Sequence, residues 1–157
     1  MLKEFQKANT IITDASCFIL LDKIDCFTIL NDLYGQVFTT PEIAAEYGKQ
    51  LPVWVIIQTV KNKELLYAYA ETVDMGEASA IALAQEVVSP SLILDDLKGR
   101  KLAKTLNLTY TGTIGVLILA KKHGVIPSLK VLFEKIESTD FRIPAELLQE
   151  ILDKYDS

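Results

Sequence analysis

An α/β fold is what this sequence predicts: a three-layer α/β/α sandwich with helices on both faces of a central, mainly parallel sheet. Three observations carry it. Short β-prone runs alternate with helical patterns along the chain. Two of those runs are nearly all apolar, 92–94 wholly so, as strands covered on both faces are. Acidic residues stand directly at strand ends, Asp14 after 10–13 and Asp95 and Asp96 after 92–94.

In order, 10–13 reads as a strand leading into the helical spacing of Cys17, Phe18, Leu20, Leu21 and Ile24. Residues 31–35 look turn-like, and 37–39 is a second strand. Thr40 and Pro41 open a helix through about Tyr47, with proline in the first turn, where its missing N–H costs nothing. Leu51-Pro52 ends it. Residues 53–60 are β-branched and extended in character, 64–71 helical, and Asp74-Met75-Gly76-Glu77 leads into a small-residue helix over 78–87. Pro90-Ser91 punctuates before the 92–94 strand, and a basic helix covers about 98–106. Residues 108–111 repeat the grammar, feeding a helix over 114–123 that Gly124 stops. Pro127 opens a helix to about 138, 141–143 reads as a short edge strand, and 145–154 is the last helix. No repeat or linker interrupts the chain, so 1–157 is read as one domain.

Its 157 residues suffice to bury about two thirds of the unfolded surface in one core. Hydrophobic residues are 50% and charged residues 24%, close to the usual globular values of about 45 to 50% and about 25%, which argues against disorder. The longest apolar runs, such as 114–120, are too short to cross a bilayer. Residues 1–10 carry Lys3, Glu4 and Lys7 and no apolar core ahead of a cleavage site. A cytoplasmic protein with no membrane association is expected.

The two cysteines, Cys17 and Cys26, lie in apolar surroundings without CxxC spacing and read as small buried hydrophobes. The single histidine, His123, stands where a helix ends and suits a cation at a helix C-terminus. A histidine-rich zinc site and a Ser-His-Asp triad are both disfavoured, so acids must do any chemistry. A net charge of −5 ordinarily counts against nucleic acid. A carboxylate cluster built for divalent cations weakens that inference, because bound metal reverses its sign.

Each acid has an ordinary role to weigh. Asp14 and Asp96 suit N-caps of the helices that follow them, and Asp95 suits a turn. Adjacent carboxylates repel, however, and a cation would relieve the pair. Glu42 is explained by its first helical turn, through the dipole or a capping box from Thr39. Glu46, a turn further in, is either solvated or functional. Glu77 either completes a capping box with Asp74 or serves a site. Together, several acids with almost no histidine, on strand ends and first helical turns, suit Mg²⁺, a hard cation held by few carboxylates plus waters and phosphates.

The segments Ile12-Thr13-Asp14-Ala15-Ser16, Thr40-Pro41-Glu42-Ile43-Ala44-Ala45-Glu46, Gly76-Glu77-Ala78-Ser79-Ala80-Ile81, Leu94-Asp95-Asp96-Leu97-Lys98-Gly99-Arg100 and Thr111-Gly112-Thr113-Ile114-Gly115-Val116-Leu117 resemble PIN-domain proteins. The resemblance is closest to the VapC-related bacterial and archaeal branch with GEAxAI and LDDxxGR motifs, and it runs from about Thr10 to Ile143. It implies an Mg²⁺- or Mn²⁺-dependent ribonuclease with metal ligands Asp14, Glu46, Glu77 and either Asp95 or Asp96, of which Asp96 is preferred as the catalytic member. It implies Ser16 as a hydrogen-bonding assistant. By their place near this rim Lys98, Arg100, Thr111 and Thr113 are read as substrate contacts, with Arg100 able to reach back either to an acid or to a phosphate. The basic residues Lys101, Lys104, Lys121 and Lys122 stand near them. Two departures are present: Glu77 occupies a position more often Asp, and Ala15 one more often Thr or Ser.

The function so implied is an endoribonuclease, the toxin of a toxin–antitoxin pair, with an antitoxin protein as partner and a homodimer as working form. The competing reading is a PIN fold that binds RNA or protein without catalysis. An aspartyl-phosphate phosphatase is weaker, since Ser16 stands where a second Asp would be needed.

Overall fold

The computed structural model describes residues 9–156. Its centre is a five-stranded, wholly parallel sheet of β1 (Thr10–Thr13), β2 (Val37–Thr39), β3 (Val55–Ile57), β4 (Pro90–Ile93) and β5 (Thr109–Thr111), in the order β3-β2-β1-β4-β5. The described helices are α1 (Ala15–Lys23), α2 (Ile29–Tyr34), α3 (Pro41–Tyr47), α4 (Lys63–Tyr69), α5 (Met75–Ala84), α6 (Leu97–Thr105), α7 (Thr113–Lys122), α8 (Leu129–Glu137) and α9 (Ala145–Tyr155). Strands covered on both faces have no polar side to spare: Ile11, Ile12, Leu92, Ile93 and Leu94 are all buried. Among the described residues no helix is long and apolar enough to cross a membrane. Residues 1–8, on which most of the leader reading rests, lie outside the described residues.

The strand order reverses between β1 and β4. From β1 the chain runs outward through β2 to β3 and later returns to build β4 and β5 on the other side. Thr13 lies opposite Ile93, so Asp14 and the Asp95–Asp96 pair leave the sheet side by side at its carboxyl edge, where open α/β sheets bind ligands.

Helix α5 is the packing centre beneath this edge. Gly76 and every residue from Ala78 to Ala84 are buried, so the helix has no solvated face. Its small side chains let it lie against α3, α4, α6, β1 and β4.

Several expectations needed correction. The turn-like 31–35 stretch lies mostly in α2, which Gly35 ends with φ 79°; burial of Ile29, Leu30, Leu33 and Tyr34 outweighs the turn preference of Asn31 and Asp32. The extended run 53–60 pairs only at Val55–Ile57. The small-residue helix stops at Ala84, leaving Val87 half-buried beyond it. No strand forms at 141–143: the Phe141 N–H goes to Thr139 Oγ1 at 3.1 Å, which occupies a donor that a ladder would need. The cap of α3 is Thr40, whose Oγ1 accepts from the Ile43 N–H, so the capping box from Thr39 does not form.

Because Ala82 is fully buried in α5, Ala82→Glu should place an unpaired charge in the core and cost roughly 3 kcal/mol or more. Urea unfolding midpoints measure it, and a wild-type midpoint would mean that α5 is not the packing centre.

Candidate functional site

Asp14 is the innermost acid, 3% exposed. As N-cap of α1 its Oδ1 accepts the Cys17 N–H at 2.9 Å, while its Oδ2 accepts the Asp95 N–H at 3.0 Å. The Asp14 N–H in turn donates to the Ile93 carbonyl at 3.1 Å. One side chain therefore caps a helix and ties the end of β1 to the end of β4. Each oxygen keeps a lone pair after these bonds.

Around it a small pocket of about 30 Å³ is lined by Asp14, Ser16, Ile43, Glu46, Asp74 and Glu77, among others. That space is on the scale of one or two waters or an ion. Glu46 packs close over Gly76, where a Cβ would stand 3.1 Å from Glu46 Oε1 and press the carboxylate aside by a few tenths of an ångström. Asp74 caps α5 by accepting the Glu77 N–H at 2.9 Å, as its spacing predicted. A directed chain of hydroxyls joins the two acid-bearing helices. Ser79 Oγ donates to the Gly76 carbonyl at 2.6 Å, so Thr40 Oγ1 must donate to Ser79 at 2.6 Å while accepting from Ile43.

The two adjacent aspartates have different surroundings. Asp95 accepts the Thr113 N–H at 2.8 Å and the Thr113 hydroxyl at 2.6 Å, and lies 3.9 Å from Arg100 Nη2. Asp96 is exposed and caps α6 through Oδ2 alone, from Lys98 N and Gly99 N. Arg100 folds back, donating from Nε to the Leu94 carbonyl at 2.6 Å with its guanidinium over Tyr110. A Cβ on Gly112 would lie 1.9 Å from Arg100 Nη2, so that glycine makes room for the arginine.

The structure thus brings Asp14, Ser16, Glu46 and Glu77 to one pocket, with Asp95 and Asp96 beside it. Thr113 is fully buried with its hydroxyl committed to Asp95. Thr111 packs its hydroxyl against Gly115, and Lys98 is exposed on α6. Lys121 instead donates to the Pro127 carbonyl and pairs with Asp156. Asp74 was read only as a cap; that it also lines the pocket depends on α3 and α5 meeting, which no local pattern encodes.

Crowding leaves an electrostatic mark. Burial, then the Asp95 charge, lifts Asp14 from an ordinary 3.8 to about 7, despite two backbone N–H groups that pull it down. Burial, then Asp74, then Asp96 and Asp14 lift Glu77 from 4.5 to about 7. Glu46 is raised by burial and Asp74. Cys17, wholly buried, has its thiol pushed well above its usual range by burial and by Asp14, so it is a neutral packing group.

Unpaired carboxylate oxygens in a water-sized pocket suit a hard divalent cation, which keeps several waters and needs few protein ligands. Among the described residues, no three acid, thiol or imidazole groups stand close enough as placed to hold an ion between them. The donor chemistry fits; direct ligation by three side chains would require them to draw together.

A parallel α/β domain with an acidic pocket at the reversal of its strand order is the class these features define. Within that class the chain belongs to the PIN-domain family: the family model DUF3368, a PIN domain, matches residues 10–157. No curated protein matches the chain. PIN domains are generally nucleases and typically use divalent metals.

An acid whose folded pKa stands above its unfolded value holds its proton more tightly in the native state. Its stabilising contribution is complete at low pH and lost as pH rises through about 7. Without metal, the protein should therefore melt higher at pH 5 than at pH 8. At about 1.4 kcal/mol per pKa unit the Asp14 contribution alone is a few kcal/mol. Glu77→Gln should raise the pH 8 melting temperature and leave the pH 5 value nearly unchanged. Asp14→Asn is a poorer probe, since an amide has one acceptor for two backbone N–H groups. Circular dichroism melts in EDTA decide it; a melting temperature that climbs from pH 5 to pH 8 would contradict the crowding.

Proposed function

We propose that this chain is a cytoplasmic Mg²⁺- or Mn²⁺-dependent endoribonuclease of the VapC-like kind, acting as the toxin of a toxin–antitoxin pair. Its partners on this reading are RNA, an inhibitory antitoxin protein and a second copy of itself. The observation that carries the nuclease reading is the pair Asp14 and Glu77, both lifted to about 7 by burial and by surrounding acids. Groups so perturbed, in a pocket at a strand-order reversal, mark functional sites more often than structural ones.

The residues divide into ligands and braces. Asp14, Glu46, Glu77 and Asp96 would hold the metal: Glu46, Glu77 and Asp96 keep carboxylate oxygen without a protein partner, and each Asp14 oxygen keeps a lone pair beyond its one backbone N–H. Asp95 would be the brace, fixed by Thr113 and Arg100, that adds negative charge beside Asp14. A divalent ion bound there supplies Lewis-acid activation of water and neutralises the charge that builds on a phosphodiester during hydrolysis. Ser16, exposed on the first turn of α1, offers a hydroxyl to the phosphate or its water. Lys98 is free to meet the RNA backbone, and Arg100 serves more as a brace than as a phosphate contact. Exposed Val53 and Ile57 near the β3 edge support contact with another chain.

The second reading, a PIN fold that binds RNA or protein without cleaving, is favoured by the wide spacing of the carboxylates as placed. Incubating the purified protein with RNA, with and without Mg²⁺ or Mn²⁺, separates the two.

Replacing Asp14, Glu46, Glu77 or Asp96 singly by its amide should lower cleavage on the order of a hundredfold or more. Double changes should add little, because residues serving one site act as a unit. Glu42→Gln should retain most activity. Gel assays of a labelled RNA with melting curves measure this, and four amide variants that cleave normally would sink the nuclease reading.

A further inference from the structure

Beside the acid pocket lies a second cavity of about 230 Å³, between α1 and the loop after α8, lined by Ser16, Ile19, Leu20, Lys23, Asp140 and Phe141. Ser16 belongs to both cavities. The two cavities are neighbours across this side chain, so a molecule anchored by a phosphate at the acids would have its next group near this opening.

The lining suits one flat heterocycle. Leu20 is buried and Ile19 half-buried, giving an apolar floor, and Phe141 supplies an aromatic wall. That wall is held in place. The Phe141 N–H donates to Thr139 Oγ1, the Thr139 hydroxyl donates to the Ile136 carbonyl at 2.6 Å, and Arg142 Nη1 donates to the carbonyls of Thr139 and Phe141. The space is below the roughly 300 to 1,000 Å³ of a drug-sized site, so it takes a ring rather than a whole nucleotide.

At the rim Lys23 and Asp140 pair at 3.0 Å, with 46% and 87% of their side chains exposed. So exposed a pair contributes little to the fold, and both groups are free to change partners. Lys23 can then meet a phosphate oxygen, and Asp140 can accept two N–H groups from the edge of a base.

We infer that this cavity is a base subsite: it receives the unpaired RNA base next to the phosphate held at the acid pocket, stacked on Phe141 and read by Asp140. Guanine fits the reader best, since its N1–H and N2–H donors lie side by side to match two carboxylate oxygens. This rests on the ribonuclease reading above and adds to it the position and chemistry of one specificity element.

The test uses fluorescent single-stranded hexanucleotides that differ at one position, bound to the full chain in a Glu77→Gln background so that the RNA stays intact. Guanine at one position should bind tightest. Phe141→Ala should weaken binding of all four roughly tenfold, the scale of one lost base–aromatic stack. Phe141→Leu, which keeps apolar volume, should fold like the parent and still lose most of that affinity. Asp140→Asn should remove the guanine preference alone, and Mn²⁺ should raise the melting temperature of Phe141→Ala, made without the Glu77 change, as much as it raises that of the parent.

If Phe141→Leu and Asp140→Asn bind all four oligonucleotides like the parent, the subsite is overturned even where the wild type cleaves RNA. If they lose binding as stated while the wild type cleaves nothing with any metal, the subsite stands and the nuclease reading fails.

Discussion

Asp14 is the constraint on which the rest of the structure depends. A carboxylate 3% exposed needs partners, and it takes them from two places at once, the first turn of α1 and the chain leaving β4. Those bonds fix the helix axis relative to the sheet and bring Asp95 and Asp96 alongside. Two backbone N–H groups do not neutralise a charge at that depth, however, and burial leaves the Asp14 carboxyl near 7. A structure that sets its central anion in this way and then surrounds it with Asp95, Glu46, Glu77 and Asp74 has given up stability at the place where the family's chemistry is expected.

The glycines and hydroxyls of the motifs are the packing counterpart of that charge cluster. Gly76 lets Glu46 pack close over α5, and Gly112 leaves room for the Arg100 guanidinium beside Asp95. Thr40 and Ser79 form one proton-ordered chain between the helices that carry Glu46 and Glu77. Thr113 holds Asp95 with both its N–H and its hydroxyl. Residues that look like signature letters in a sequence thus act mainly by setting distances between acids. Thr113, expected at the RNA, and Arg100, for which an acid and a phosphate were the two alternatives, both take part in this bracing.

The same geometry explains why a chain of net charge −5 need not reject a polyanion. Six of its acids, Asp14, Glu46, Asp74, Glu77, Asp95 and Asp96, stand at one rim, where a divalent cation would offset the local charge. Lys98 stands exposed on the first turn of α6, beside Asp96, and Lys23 stands by the cavity that shares Ser16 with the acid pocket. Cations outside an acidic centre suit a substrate whose backbone passes over metal and whose bases turn aside.

Much of this was legible in the sequence alone. Apolar strand runs, capping acids and Pro41 in a first turn are local signals, and they located all five strands and eight of the nine described helices. The order of acids after strands placed Asp14 beside Asp95 and Asp96, because parallel sheets align their carboxyl ends. Local patterns failed where burial outweighed propensity, as in α2, and where an edge partner was missing, as at 141–143. They could not say that Asp74 would line the pocket, that Asp95 would be occupied by Thr113, or that Phe141 would face α1 across a cavity. Those facts depend on how α3, α5 and the loop after α8 approach one another. Sequence periodicity fixes which face of an element is buried, whereas the distance between side chains on different elements is set only when the whole core packs.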